Sequence, residues 1–261
     1  DYQRSRGLGD VYKRQNLDVD LEVIPGLLDR YNLLPTFIRR LIETKNTHQI
    51  RPSKEAQISF NNRFLADNNI KGKDNLSNWL TQNGLDEKRL DLMLYERLQV
   101  EIFKQDSFDK NVASIFLKRK ESLDRVMYSI MRVETREEAE ELHLKLEEKE
   151  ASFSELASEY ALGSEKEFNG MIGPVELRVL DANLSERLKI SKTGQLWPPF
   201  EFKNFWIVLR LEKHLPSSLD ENMRKRLRNE LYEEFINKQV LELVEQIRKT
   251  DTSKIKELKP K

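Results

Sequence analysis

The chain has 261 residues, of which 38% are hydrophobic and 34% are charged, so it is long and apolar enough for one large or two modest domains with packed cores. Its 45 basic and 45 acidic residues cancel, so nucleic acid is not an expected partner, and without a run of about eighteen apolar residues membrane insertion is not expected either. The lack of cysteine excludes disulfides and thiolate chemistry, and three scattered histidines predict no metal site.

Residues 1–15 differ in character from the chain that follows. Arg4 to Gln15 read Arg-Ser-Arg-Gly-Leu-Gly-Asp-Val-Tyr-Lys-Arg-Gln, a string that looks like translated sequencing adapter. We therefore treat the segment as adapter-derived or disordered and leave it out of the fold prediction. The alternative is a basic targeting arm, which so few charges do not favour. With an artificial start, the natural N-terminus would be missing.

Residues 16–125 have the pattern of a helical module. Apolar residues recur every three or four positions between Leu27 and Ile42, a spacing that places them on one side of a helix. A separate helical segment is predicted from Phe108 to Leu123. Residues that typically begin or end helices fit the predicted bounds. Pro35 lies in a first turn, Ser53 and Asp86 are predicted N-caps, and Asn83-Gly84 is predicted to end a helix.

Between residues 126 and 214 the pattern changes to strand, helix, short helix, glycine-rich loop, helix and strand, which is typical of a compact α+β domain. The first strand is predicted from Val126 to Val133 and the last from Asn204 to Leu211. Just before the last strand, Trp197-Pro-Pro-Phe200 is predicted to form a rigid aromatic turn.

Residues 215–250 predict one long helix with an apolar stripe over roughly 30 residues. Such a stripe is not stable alone in water, so we expect this helix to pack on the N-terminal helices. Residues 251–261 are predicted to be a solvated tail. The stripe consists of Leu219, Met223, Leu227, Leu231, Phe235, Val240, Leu243, Val244 and Ile247.

The central segment resembles a parvulin domain, the PpiC-like type of peptidyl-prolyl isomerase. Phe153-Ser-Glu-Leu-Ala-Ser-Glu-Tyr160 is similar to the family's F-x-E-L-A-x-x-Y. Asn169-Gly-Met-Ile-Gly-Pro174 stands where parvulins have G-G-x-L-G, and Lys192-Thr-Gly-Gln-Leu-Trp-Pro-Pro199 stands where they have G-x-x-x-x-P. The resemblance implies an α+β fold, in which a mostly helical module built from both chain ends carries an inserted βααβ-type domain.

This plan resembles that of bacterial periplasmic and extracytoplasmic parvulin chaperones. It looks still more like a cyanobacterial parvulin-like group found beside peptide-exporting transporters, in which the sequence around Leu33-Leu-Pro35 and Trp79-Leu80 is similar. The resemblance implies unfolded or secreted peptides as clients and a peptide-export transporter as a further partner. The compartment stays open: a cytoplasmic location is slightly favoured, and a missing N-terminus would allow a periplasmic or extracytoplasmic one.

Parvulins surround a proline-sized pocket with two histidines and an acidic or thiol residue. By the resemblance, Ser129 and Trp206 occupy the two histidine positions, and Leu162 or Gly163 occupies the position of the acid or thiol. Ser129 and the indole of Trp206 each keep one hydrogen-bond donor, but no titrating network is left. Catalysis is therefore expected to be weak, and whether the chain is an enzyme stays open.

The apolar pocket of the family is better preserved in this sequence. Its leucine, methionine and phenylalanine positions correspond to Ile172, Leu180 and Leu184, and the resemblance assigns substrate binding to these three and to Phe205. The alternative is that Ile172, Leu180 and Leu184 are ordinary core residues.

Two functions from different classes follow from these residues. The first is a peptidyl-prolyl isomerase-type folding or peptide-export factor that binds unfolded or proline-containing peptides without a cofactor. The second is a non-catalytic adaptor or holdase chaperone with a degenerate parvulin domain. For a holdase, the aromatic residues of the helical module either form a client surface or fill its core; they are Phe60, Phe64, Trp79, Phe103, Phe108 and Phe116.

Overall fold

The computed structural model describes residues 24–251, which form two compact units. One unit contains residues 24–110 and 228–251, and the other contains residues 111–227. The predicted α+β class is confirmed, with a helical unit from both chain ends and an intervening unit that contains the sheet. The predictions for residues 1–15, and for the tail beyond Asp251, lie outside the described residues.

Helices fill the chain before the first strand, and local signals set most of their bounds. The Ser53 hydroxyl accepts a hydrogen bond from the Ala56 amide, and the Asp86 carboxylate accepts one from the Arg89 amide, so both predicted caps are confirmed. These helices are α1 (Ile24–Arg30), α2 (Leu34–Thr47), α3 (Lys54–Asp67), α4 (Gly72–Gln82) and α5 (Glu87–Leu123).

Helix α5 is continuous over 37 residues, so the separate segment predicted from Phe108 is wrong. The polar stretch at residues 104–107 interrupts the apolar pattern but contains no proline or glycine that would break the hydrogen-bond ladder. On either side of it Phe103 and Phe108 pack edge to face, with ring centroids 5.9 Å apart. Apolar packing therefore continues through the stretch.

The C-terminal helix α9 (Glu221–Asp251) packs on α2, as predicted. The buried face of α9 differs in part from the predicted stripe, because Leu243 is exposed while Tyr232 and Ile236 are buried. One cluster of buried side chains joins the two helices; it contains Leu34, Ile38, Ile42, Tyr232, Ile236, Val240 and Val244.

The second unit contains a four-stranded antiparallel sheet with the order β2-β1-β4-β3. The predicted first and last strands are confirmed, but the predicted glycine-rich loop contains β2 and the predicted aromatic turn lies in β3. Pro198 and Pro199 fit there because β3 is an edge strand whose register shifts between Trp197 and Phe200. The strands are β1 (Arg125–Val133), β2 (Met171–Glu176), β3 (Leu196–Phe202) and β4 (Phe205–Leu215).

Helices cover both faces of this sheet. Helices α6 (Arg136–Glu147) and α7 (Phe153–Tyr160) pack against Met131, Val133 and Val208, and we call this side the α6–α7 face. Helix α8 (Ala182–Ile190) packs against the alternate residues of β1 and β4, and we call that side the α8 face. Two short 3₁₀ helices, Ser164–Phe168 and Leu177–Val179, flank β2.

Candidate functional site

The α8 face carries a buried core with a partly exposed apolar margin. The core includes Tyr128 and Ile130 of β1, Leu209 of β4, and Leu184 and Leu188 of α8. We call the half-buried apolar side chains that pack around this core the apolar rim. The rim consists of Ile172, Val175, Leu180, Trp197, Phe200, Phe202 and Phe205.

The structure brings the four residues predicted to bind substrate to this same face. Ile172, Leu180 and Phe205 belong to the apolar rim, where part of each side chain can contact a ligand. Leu184 is only 7% exposed and belongs to the core beneath them. Three of the four therefore have accessible surface, while Leu184 supports the others.

Ser129 and Trp206, the two positions predicted to be catalytic, lie on the α6–α7 face. Trp206 packs against the cluster of that face, and the Arg136 guanidinium lies over its ring at 5.6 Å from the centroid. Ser129 pairs with Arg210 of β4, whereas Trp206 pairs with Val133 of β1. Val133 follows Ser129 by four residues, so Ser129 and Trp206 are about 13 Å apart along the strands. The structure neither joins these two side chains nor places them with the apolar rim, so their catalytic role stays a prediction.

Ser129 is 2% exposed and already has a hydrogen-bond partner. Its hydroxyl donates to Oε1 of Glu212 at 2.5 Å, and Nε of Arg210 donates to the same oxygen at 2.8 Å. This buried contact joins β1 to β4. Its hydrogen bond therefore stabilises the sheet.

Tyr128 is a candidate donor on the α8 face that the sequence prediction did not name. It pairs with Ile172 of β2 and Leu211 of β4, and its side chain belongs to the core of the α8 face. The side chain is 4% exposed, its hydroxyl makes no hydrogen bond with described residues, and that oxygen is not among the fully buried unpaired atoms. The hydroxyl therefore has a donor without a partner among the described residues, and it is not completely enclosed.

Burial of the Tyr128 phenol, and to a lesser extent the negative charge of Glu165, raises its pKa above the ordinary value. The phenol therefore keeps its proton throughout the physiological pH range. It is a neutral hydrogen-bond donor, and it is not a general base.

Glu165 is a buried carboxylate close to the position where the family has its acid or thiol. It is 2% exposed and accepts hydrogen bonds from the backbone amide of Arg132 at 3.2 Å and from its Nε at 2.9 Å. Burial alone would raise the pKa of Glu165, but the hydrogen bonds and charge of Arg132 together lower it below the ordinary value.

The ion pair between Arg132 and Glu165 occupies the space where a side chain at position 163 would lie, and Gly163 has no side chain. A Cβ atom at Gly163 would lie 1.8 Å from Nη2 of Arg132 and 2.2 Å from Oε2 of Glu165. The acidic group of this region is thus supplied two residues after Gly163. An acidic residue within one turn of the expected position was the signal for it in the sequence.

The aromatic residues proposed for a client surface mostly pack against buried clusters. Phe64 and Trp79 pack edge to face at 5.4 Å, beside the buried Leu80, Leu90 and Leu94. Phe60 packs against the same cluster of Leu80, Leu90 and Leu94. Phe103 and Phe108 pack with Tyr232 and Phe235. Phe116 is 6% exposed. Phe116 is therefore a core residue, whereas the other five are half-buried and pack against buried clusters, so a client surface formed by them stays a prediction.

Accessible apolar surface in the helical unit includes a groove between α3 and α5. The groove has a volume of about 550 Å³. Two large apolar side chains at its margin, Ile58 and Leu92, are 61% and 58% exposed. Tyr95 and Leu98 also line it, with Lys54 and Asp91 among its polar residues.

Within residues 24–251, no three His, Asp or Glu side chains converge as a metal site. In the same range no helix combines the length and the apolar character that crossing a membrane requires.

Residues 115–213 match the family described as rotamase, the PPIC-type PPIASE domain. The match spans β1, β2, β3 and all but the last two residues of β4, together with the helices on both faces of the sheet. The resemblance to parvulins is therefore confirmed for this segment, which matches the model of the PPIC-type domain. No curated protein matches the chain in sequence.

Several solved structures are similar to the chain over most of its length. The peptidylprolyl isomerase PrsA from Bacillus cereus is 16% identical, with a TM-score of 0.46 over 86% of this chain and 85% of that one. PrsA from Bacillus anthracis is 19% identical, with a TM-score of 0.43 over 83% and 97%. A SurA-like chaperone of Campylobacter jejuni is 16% identical, with a TM-score of 0.36 over 87% and 94%.

Proposed function

We propose that the chain is a parvulin-like peptidyl-prolyl isomerase-type folding factor that binds unfolded or proline-containing peptides at the apolar rim. The supporting observation is that the segment matching the PPIC-type domain contains a face on which seven half-buried apolar side chains pack around one core. A proline ring is small and apolar, so it can bury surface against Ile172, Leu180 and Phe205.

Rotation about a prolyl bond is slow because amide resonance has to be lost, with a barrier of about 20 kcal/mol. A protein lowers this barrier when it binds the twisted amide more tightly than either planar form. The Tyr128 hydroxyl is the donor that we assign to this task, since the nitrogen of a twisted amide accepts a hydrogen bond and that of a planar amide does not. One neutral donor without a titrating network supports weak catalysis.

A protease-free isomerisation assay on a proline-containing peptide, combined with calorimetric titration of the same peptide, tests this function. We expect measurable binding and a small acceleration that saturates with protein concentration. The absence of both binding and acceleration at a large excess of protein would refute the proposal. Strong acceleration that persists in Tyr128→Phe would refute the role of the phenol alone.

A holdase activity of the helical unit is the second candidate, and the groove between α3 and α5 is the observation that favours it. Its margin exposes Ile58 and Leu92, which can contact apolar side chains of an unfolded client. The double variant Ile58→Ser and Leu92→Ser should suppress the aggregation of an unfolded client less well than the original chain. Unchanged suppression would exclude the groove as the client site.

The finer proposal of a peptide-export transporter as partner has the sequence resemblance around Leu33-Leu-Pro35 and Trp79-Leu80 as its support. Affinity purification from cells that carry the gene and its genomic neighbours tests it. If client peptides bind but no neighbouring transporter co-purifies, the function is limited to folding.

A further inference from the structure

Arg187 of α8 lies beside the apolar rim. It follows Leu184 by three residues, so the two side chains project from the same side of the helix. Its guanidinium carbon lies 4.0 Å from the centroid of the Phe200 ring and 5.6 Å from that of Trp197. A positive charge is thus stacked on two aromatic members of the rim.

Most of the hydrogen-bonding capacity of this guanidinium is unused. Nη1 donates to the Asn183 carbonyl at 3.2 Å, and no carboxylate of the described residues forms an ion pair with Arg187. The nearby cations differ in this respect, since Lys203 pairs with Asp181 and Lys189 pairs with Glu121. A guanidinium has five N–H donors, so several of them are available to a ligand.

The surroundings of Arg187 are held in place by a short chain of hydrogen bonds. The indole Nε1 of Trp197 donates to the Ser191 hydroxyl at 2.7 Å, and that hydroxyl donates to the Arg187 carbonyl at 2.7 Å. The aromatic ring and the helix that carries the cation are therefore fixed relative to each other. A ligand that binds there does not have to order these groups first.

We infer that Arg187 binds a peptide carboxylate while an apolar or prolyl residue of the same peptide occupies the apolar rim. Arg187 is half-buried, so part of it is accessible, and the N–H edge of a guanidinium matches the two oxygens of a carboxylate. Arg187 thereby makes the site selective for acidic peptides. This inference rests on the proposed function, to which it adds the chemical class of the preferred peptide.

A panel of peptides with acetylated and amidated ends tests this inference by calorimetric titration. All peptides share one sequence around a single proline. In each peptide one residue, either directly before or directly after the proline, is Glu, Gln or Lys. We expect one Glu peptide to bind about fivefold more tightly than its Gln counterpart at low salt. The preference should decrease as salt rises, because the pair is partly exposed.

Two substitutions on the same helix separate the role of Arg187 from a general effect of charge. Arg187→Gln should abolish the preference for Glu and leave the affinity of the Gln peptide within about twofold. Lys189→Gln removes the same charge two residues away and should retain the preference. Arg187→Lys keeps the charge but loses the planar edge, so this variant should retain only part of the preference for the Glu peptide.

The outcomes distinguish this inference from the proposed function. If none of the peptides binds, the proposed function fails and this inference fails with it. If the peptides bind but Glu and Gln are equivalent, or if Arg187→Gln keeps the preference, only the inference is overturned. A neutral peptide with a free C-terminus shows whether a chain-end carboxylate serves as well as a side chain, and its tighter binding would also support the inference.

Discussion

The side chains of Tyr128 and Ser129 lie on opposite faces of the four-stranded sheet, although the two residues are neighbours in β1. Tyr128 belongs to the core beneath the apolar rim, and its hydroxyl has no hydrogen-bond partner among residues 24–251. Ser129 donates to Glu212 at 2.5 Å on the α6–α7 face. Since successive residues of a strand alternate between faces, only Tyr128 is available to a ligand at the rim.

Tyr128→Phe and Ser129→Ala should therefore have different effects. We expect Tyr128→Phe to reduce the acceleration of prolyl isomerisation about five- to tenfold, because one hydrogen bond to the twisted amide is lost. Ser129→Ala should leave the rate unchanged and lower the free energy of unfolding by about 1–2 kcal/mol, since Glu212 loses a donor. Isomerisation assays and urea unfolding of both variants measure this, and the reverse pattern would assign catalysis to the other face.

Leucines at different depths of the α8 face should separate peptide binding from stability. Leu180→Ala removes half-buried surface at the rim and should weaken the affinity for a proline peptide about fivefold. Leu188 is 0% exposed, so Leu188→Ala should cost about 2–5 kcal/mol of unfolding free energy. Titration calorimetry and urea unfolding test the pair. Affinity equal to that of the original chain in Leu180→Ala would remove Leu180 from the site.

The sequence predicts the helix bounds well because the signals for them are local. Ser53 and Asp86 cap amides only three residues away, and Pro35 lies in the first turn of its own helix. Strand β3 was not predictable in this way. Its Pro198-Pro199 pair is typical of a turn, and only the edge position of β3, set by its pairing with β4, allows a strand there.

The apolar candidate positions can be recognised in the sequence, whereas the choice of a hydrogen-bond donor in β1 depends on the register of the strand. Size and apolarity at Ile172, Leu180 and Phe205 are visible in the sequence, and these residues do lie together. A shift of one residue in a strand, however, moves a side chain to the other face, so an alignment that selects Ser129 instead of Tyr128 changes the site entirely. Glu165 contacts Arg132 only because the chain turns through a 3₁₀ helix, which is a tertiary effect.

The Arg132–Glu165 ion pair should make the stability of the sheet-containing unit depend on pH. The pKa of Glu165 is lowered from its ordinary value of 4.5, so the stabilisation is fully present above that pH and is lost as the pH falls through the lower folded-state value. At neutral pH Glu165→Gln should cost about 1–3 kcal/mol, because the buried acceptor of Arg132 loses its charge. The difference should shrink in acid.

Urea unfolding of the original chain and of Glu165→Gln, at about pH 7 and about pH 3, measures this dependence. Glu140→Gln is the matched control, since Glu140 pairs with Arg136 at 2.7 Å in an exposed position and should leave stability unchanged. Gly163→Ala should displace Arg132 from Glu165, so its cost should not add to that of Glu165→Gln. Equal losses from Glu165→Gln at both pH values would contradict the assignment.

In the helical unit, the Tyr232 hydroxyl joins α9 to α2 and should contribute to stability. The hydroxyl donates to Oε1 of Glu43 at 3.0 Å, and the two residues are 2% and 7% exposed. Tyr232→Phe should lower the unfolding free energy by about 1–2 kcal/mol, a moderate loss because Glu43 still accepts hydrogen bonds from Arg39 and Arg40.

The same hydroxyl should also give this unit a sensitivity to alkali that Tyr232→Phe lacks. Burial and the charge of Glu43 raise the pKa of Tyr232 above its ordinary value of 10.0, so its stabilisation is complete below that pH and falls as the pH rises beyond it. Tyr95→Phe is the control, since Tyr95 is partly exposed and its hydroxyl makes no hydrogen bond with any residue that the structure describes. Urea unfolding between about pH 8 and pH 11 compares the three chains, and parallel curves for Tyr232→Phe and the original would refute the role of the hydroxyl.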